Sequence, residues 1–122
     1  MIYDDPQMVM DSLTHGWFNE ARFANQSNIE MCCYSYDNQD IGHFLAFATD
    51  RSTHIGCALT KFMKEGDWRT YLYSCNYASG NIEMLPVYRA GPTASACTFG
   101  SNPKYPGLCH QDEPIDPNQL YY

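Results

Sequence analysis

The stretch of residues 41–81 holds the side chains whose types and spacing suggest chemistry. His43 offers an imidazole, which can bind a divalent metal or transfer a proton. Cys57 and Cys75 each lie nine residues from Gly66, and the Gly66-Asp67 pair suits the turn of a β-hairpin. If the strands pair about Gly66, the two cysteines face each other. We therefore predict a Cys57–Cys75 disulfide, with two free buried thiols as the alternative.

The remaining four cysteines divide into one separated pair and one adjacent pair. Cys97 and Cys109 are 12 residues apart in a segment rich in glycine and proline, so we predict that they form a disulfide. Cys32 and Cys33 lack the spacing of a C-x-x-C redox pair. A planar trans peptide strains a disulfide between adjacent cysteines. We therefore expect at least one of them to lack its partner within this chain.

Composition limits the classes of protein to consider. Seven basic and fourteen acidic residues give a net charge of −7, which argues against nucleic acid or an anionic membrane as a partner. No apolar run is long enough to span a membrane. Six cysteines in 122 residues favour an oxidising compartment, yet the first residues, MIYDDPQ, do not form a signal peptide. We therefore expect an N-terminally truncated chain of an extracellular protein.

The first predicted element is an amphipathic helix. Asp5 as N-cap and Pro6 at the first helical position predict its start. An apolar stripe with a spacing of four follows, formed by Val9, Leu13 and Trp17. Continuing the stripe places Glu20 on or beside the buried face. The helix is predicted to end near Ala24.

The next segment reads as loops, a short helix and a hairpin. Residues 25–28 and 30–40 are polar and are predicted to be loops, and Asn25 begins an N-x-S glycosylation sequence. Residues 41–49 form a short predicted helix that Asp40 can cap. Residues 55–62 and 70–77 are predicted strands. After Glu83, repeated prolines predict irregular structure, and the acidic tail is either disordered or laid against the surface through its last residues, Leu120, Tyr121 and Tyr122.

Several motifs together resemble the CAP superfamily (cysteine-rich secretory, antigen 5 and pathogenesis-related proteins). Its first signature resembles GHF and IGCA, and its second resembles LYSCNY followed by GNI. WFNE resembles the helical segment that carries an acidic residue of the family's central cavity. The C-terminal motifs GPTASAC and NPKYPGLC are similar to antigen-5-like, or venom-allergen-like, proteins of insects. The matching segments are residues 17–20, 42–44, 55–58, 72–77, 80–82, 91–97 and 102–109.

The resemblance implies an α+β fold, the α–β–α sandwich of the CAP type with a small antiparallel sheet. Residues 1–90 would form the C-terminal portion of a CAP (SCP) domain that lacks its N-terminal helix or helices. Residues 91–122 would form a disulfide-closed extension and tail. The implied function is that of a secreted, non-enzymatic protein that binds a small apolar ligand, such as a sterol or fatty acid, or an extracellular protein. The alternative is a divalent-metal-dependent hydrolase or protease.

The family's cavity contains two histidines and two glutamates. In this chain, only His43 and Glu20 match positions of those four residues. By resemblance, His43 is the candidate metal ligand, and zinc is the implied cofactor of the full-length protein. Two side chains make half of such a site, since a structural zinc ion has four ligands. We assign no catalytic residue, favour a binding role over an enzymatic one, and keep open the reading in which Glu20 simply holds the His43 ring.

Overall fold

The computed structural model describes residues 5–33, 40–66 and 68–118, and within them the chain has the expected α+β fold. Two of its helices and a two-stranded antiparallel sheet frame the candidate site. None of the described helices is long and apolar enough to cross a membrane. The elements in chain order are α1 (Pro6–Asn19), a 3₁₀ helix (Glu20–Phe23), α2 (Gln26–Glu30), α3 (Gly42–Ala48), β1 (Ile55–Lys64) and β2 (Trp68–Tyr77).

Helix α1 begins as the sequence predicts and ends earlier. The Asp5 side chain accepts a hydrogen bond from the Gln7 amide at 2.9 Å, and Pro6 occupies the first helical position. The α-helix stops at Asn19, and the next four residues form the tighter 3₁₀ helix, which ends at Phe23 with Ala24 as its C-cap, close to the predicted end. This change of helical type occurs at Glu20.

Helix α2 lies in a segment that was predicted to be a loop, and that prediction is wrong. Asn25 accepts a hydrogen bond from the Asn28 amide at 3.1 Å, while the Asn28 side chain accepts one from the Asn25 amide at 2.9 Å. This reciprocal arrangement is a capping box built from two asparagines. It satisfies amides at the start of the helix, and Ile29 then contributes to the core.

The hairpin has the predicted register. Cys57 pairs with Cys75 across β1 and β2, and the structure joins them in a disulfide with their Cα atoms 4.1 Å apart. Gly66 has a φ of 78° in the turn, a conformation that glycine adopts without steric cost. The strands continue two residues closer to the turn than predicted, to Lys64 and from Trp68.

A compact core joins the helices to the segment that follows the hairpin. Val87 is fully buried, and its amide donates to the carbonyl of Ile29 at 2.8 Å. The Cys32 amide likewise donates to Leu85 at 2.8 Å. Residues 83–118 contain no helix or named strand, as the prolines predict, and these backbone bonds tie residues 85–87 to the helical part of the chain. The buried cluster consists of Ile29, Cys32, Ile41, Leu45 and Val87.

Cys32 and Cys33 are joined to each other, which contradicts the expectation of a missing partner. Their Cα atoms lie 3.7 Å apart, and Cys33 has a φ of 71°, in the left-handed region. Our prediction rested on the strain that a planar trans peptide imposes on such a ring; the bond is nevertheless formed here, with Cys33 in the left-handed conformation. Cys32 is fully buried and Cys33 is exposed. The rest of the predicted 30–40 loop, residues 34–39, and the tail contact through residues 120–122 lie outside the described residues.

The C-terminal extension is held by the predicted Cys97–Cys109 disulfide and by a carboxylate. Glu113 accepts hydrogen bonds from the amides of Phe99, at 2.8 Å, and Thr98. These bonds lower the pKa of Glu113 below the ordinary value of a glutamate, and the bond from the Phe99 amide is the largest cause. Glu113 is therefore ionised at neutral pH and links its own part of the extension to Thr98 and Phe99.

Candidate functional site

The candidate site lies where α1, α3 and β2 meet, and three stacked rings define it. The Trp17 indole lies between the imidazole of His43 and the ring of Tyr73, with both centroid distances 4.8 Å and interplanar angles of 2° and 3°. Trp17 is half-buried, and His43 keeps about half of its side chain exposed. Stacked aromatic pairs contribute about 0.5–1.5 kcal/mol beyond their area burial. The stack fixes the plane of His43 while leaving part of the ring accessible.

The Glu20 carboxylate also fixes the orientation of the His43 ring. Oε1 lies 2.8 Å from Nδ1 of His43, and Oε2 accepts the amide of Phe44 at 2.9 Å. Helix α3 has no side-chain cap from Ile41, its N-cap residue, so Glu20 supplies an acceptor for its first turn. Both carboxylate oxygens therefore have hydrogen-bond partners. The Glu20 side chain alone orients the imidazole of His43 and accepts a backbone amide in the first turn of α3, the helix that carries His43.

Asp40 adds a second carboxylate to this site, next to Glu20 and His43. Its Oδ1 accepts the Gly42 amide at 3.3 Å, but the N-cap of α3 is Ile41, so Asp40 lies one residue before the predicted cap position. One ligand atom from each of Glu20, Asp40 and His43 lies within 4.8 Å of the others. Such a mixed set of carboxylates and imidazole fits a divalent ion that is held weakly. It does not fit a closed zinc site, which has four protein ligands.

Sequence reasoning identified Glu20 and His43 but missed three features of their surroundings. It did not place Asp40 in the ligand set, although its position three residues before His43 was a usable signal. It assigned Trp17 to a buried stripe without predicting the stack, and it gave Tyr73 no role. The Trp17–Tyr73 contact joins residues far apart in the chain, so no local spacing reveals it.

Outside this cluster, Asn25 is exposed at the start of α2. Its Oδ1 accepts both the Asn28 amide and, at 2.6 Å, the hydroxyl of Ser27, the third residue of the N-x-S sequence. The cap therefore uses the side-chain carbonyl. The amide nitrogen, where a glycan is attached, is not required for it.

Comparison with known proteins gives consistent relatives. The chain is 32% identical over 105 residues to venom allergen-1 of Aedes albopictus, covering 86% of this chain and 41% of that protein. It is 33% identical over the same length to venom allergen-1 of Aedes aegypti, with the same coverage. It is 35% identical over 94 residues to scoloptoxin SSD43 of Scolopendra dehaani, covering 76% of this chain and 43% of that protein. No protein-family model matches the chain.

These similarities point to the antigen-5-like group of the CAP superfamily. The chain spans about two-fifths of the length of these relatives. In this chain, His43 and Glu20, the two residues expected from the cavity pattern, are in direct contact.

The two hydrogen bonds of Glu20 predict a measurable effect on stability. Glu20→Ala removes the acceptor for Phe44 and the partner of His43 from a site where the glutamate side chain is only 15% exposed. We expect the free energy of unfolding to fall by about 1–3 kcal/mol, the range for a charge-assisted hydrogen bond and its unsatisfied donor. Urea unfolding followed by tryptophan fluorescence measures it.

The matched control is Glu83→Ala, since Glu83 is also a glutamate but is exposed. That variant should change the unfolding free energy by no more than about 0.5 kcal/mol. Equal effects of the two substitutions would contradict the role assigned to Glu20.

Proposed function

We propose that this chain is part of a secreted antigen-5-like CAP protein that acts by binding a ligand rather than by catalysis. Residues 1–90 belong to the CAP domain, and residues 91–122 form its extension and tail. The ligand is a small apolar molecule, a sterol or a fatty acid, or else an extracellular protein. Three disulfides are consistent with an oxidising compartment, and the names venom allergen and scoloptoxin of the relatives support secretion.

The observation that carries the binding role is the occupied carboxylate of Glu20. A general base needs an oxygen within reach of the proton that it takes from the substrate. In this chain, one oxygen of Glu20 orients His43 and the other holds the Phe44 amide. Taking up a catalytic proton would weaken both contacts. The arrangement therefore favours a fixed surface for recognition.

The aromatic surface next to this pair supports an apolar ligand. Phe47 lies 6.3 Å from Trp17 and 6.0 Å from Tyr77, ring centre to ring centre. Burial is the larger of two causes that raise the pKa of Tyr77 above its ordinary value, and the neighbouring Tyr73 is the other. The Tyr77 hydroxyl therefore stays neutral. Neutral, partly buried rings provide the kind of surface on which a sterol packs.

Ligand binding is tested by displacement of a fluorescent sterol and a fluorescent fatty acid. We expect saturable binding of at least one of them, and Trp17→Ala should weaken it at least about tenfold, since an aromatic truncation in a ligand site removes more than 1 kcal/mol. Leu72→Ala, at an exposed position on the hairpin, is the control. If neither probe binds saturably, the small-ligand reading fails and the protein-partner reading is left.

Secretion makes a further prediction at Asn25. Expressed with a secretion signal in insect cells, the chain should carry an N-linked glycan, because Asn25 is exposed and its cap does not need the side-chain nitrogen. Mass spectrometry before and after glycosidase treatment should show one occupied site. Ser27→Ala should abolish it, whereas Ser52→Ala, outside the sequence motif, should leave it intact. An unmodified Asn25 in the secreted protein would contradict the proposal.

The second candidate function is that of a divalent-metal-dependent hydrolase, and the observation that favours it is the Glu20–Asp40–His43 cluster. Those three residues would hold the ion, and a bound ion would polarise a substrate carbonyl or activate a water molecule. The cluster offers three protein ligands and an open side. The number of ligands fits a catalytic metal site, but the Glu20 carboxylate already accepts the Phe44 amide in the first turn of α3.

A zinc titration separates these readings. We expect weak binding, lowered at least about tenfold by His43→Ala, because loss of one of three ligands or their orienting partners has an effect of this order. His54→Ala is the matched control, since His54 is exposed and far from the cluster in sequence. Tight zinc binding that survives His43→Ala would contradict the assignment of the site. Zinc-dependent hydrolysis that is lost in the same variant would favour the enzyme.

A further inference from the structure

A groove runs along the contact between the C-terminal extension and the segment that links α3 to β1. It has a volume of about 570 Å³ and lies between residues 47–53 on one side and residues 102–115 on the other. Two smaller clefts of about 190 and 230 Å³ share lining residues with it. Volumes of 300–1,000 Å³ are typical of small-molecule sites. Neither Glu20 nor His43 lines this groove.

The wall formed by the extension is held in place before any ligand binds. The Cys97–Cys109 disulfide closes it, and an antiparallel bridge joins Ser101 to Cys109. The Asn102 amide donates to Leu108 at 2.7 Å. Glu113 ties the later part of the extension back to Phe99. A wall with these internal bonds loses little conformational entropy when a ligand binds.

The lining combines an apolar body with acidic groups. Phe47 and Ile115 provide apolar surface, while Asp50 and Glu113 place one carboxylate on each wall. No lysine or arginine is found among the described residues that line this groove; Arg89 lines only the adjoining smaller cleft. Hydrogen bonds from backbone amides lower the pKa of Glu113, so it is charged at neutral pH. The net charge of the whole chain, −7, is also negative.

Two polar groups of the groove keep capacity for a ligand. Asp50 receives the Arg89 amide on Oδ2, and its side chain is otherwise exposed. Ser52 lines the groove, and its buried hydroxyl has no hydrogen-bond partner among the described residues. A buried hydroxyl without a partner is unfavourable unless water or a ligand satisfies it.

We propose that this groove is a second ligand site, which binds a small organic amine with an apolar body. The ammonium group lies beside Asp50, whose carboxylate has one backbone partner, and the apolar body packs on Phe47 and Ile115. An acid of the same length is disfavoured, because its carboxylate would face the like charges of Asp50 and Glu113, and His110 is the one basic side chain among the described residues that line this groove. The inference does not depend on the proposed function of the His43–Glu20 site.

The test uses three probes of equal length: octylamine, octanol and octanoate. By isothermal titration at low salt, octylamine should bind with one-to-one stoichiometry, octanol at least about tenfold more weakly, and octanoate not measurably. A tenfold difference corresponds to about 1.4 kcal/mol, which is within the range of a partly buried charge interaction. Octylamine binding should also weaken as salt is added.

Asp50→Asn is the decisive variant, because asparagine keeps an oxygen that can accept the Arg89 amide and removes only the charge. It should weaken octylamine at least about tenfold and leave octanol unchanged. Asp11→Asn is the matched control, since Asp11 is exposed on α1, does not line the groove and keeps an oxygen for Gln7. Circular dichroism verifies that both variants fold.

Three results would overturn the proposal. They are octanoate binding as well as octylamine, no octylamine binding at all, and equal effects of Asp50→Asn and Asp11→Asn. Loss of octylamine binding in His43→Ala, but not in Asp50→Asn, would move the amine to the other site and also overturn it. Sterol or fatty-acid binding that persists in Asp50→Asn would leave the proposed function intact, so the two proposals fail separately.

Discussion

The carboxylate of Glu20 connects the parts of this structure on which the candidate site depends. It comes from the 3₁₀ helix that follows α1, and it reaches both the ring of His43 and the amide of Phe44 in α3. A seven-residue helix is too short to be stable by itself, so its first turn needs acceptors from elsewhere in the fold. Because one carboxylate provides this support and orients the imidazole, the geometry of the site and the existence of α3 are coupled.

Covalent links and aromatic contacts make up for a small core. Among the described residues, six hydrophobic side chains are buried, one of them a disulfide-bonded cysteine. The Trp17 stack joins α1, α3 and β2 without full burial of any of the three rings. The hairpin is held by its own disulfide, and apolar side chains on it stay exposed, Trp68 at 78% and Leu72 at 56%. Small secreted domains commonly compensate for a limited core in this way.

The two proposed binding regions differ in how their walls are built. At the Glu20–His43 pair, the acidic groups already serve the protein, because they hold the start of α3 and the imidazole. In the groove beside the extension, Asp50 has one backbone partner, and the wall opposite is fixed by hydrogen bonds within the extension itself. Charge in the first region is committed to structure. In the second region, both oxygens of Glu113 are likewise held by backbone amides, and Asp50, with one backbone partner, is the carboxylate proposed to meet a ligand.

The sequence by itself determined the features that depend on local spacing. The positions of Cys57 and Cys75 about Gly66 set the register of the hairpin, because a strand pair folded about a fixed turn has only one pairing. The apolar stripe placed Glu20 toward the packed side of its helix. Only the tertiary structure decided that Glu20 also holds the Phe44 amide, since that bond spans 24 residues. Sequence periodicity describes one element at a time, whereas contacts between elements, and the grooves they leave, depend on how all of them pack together.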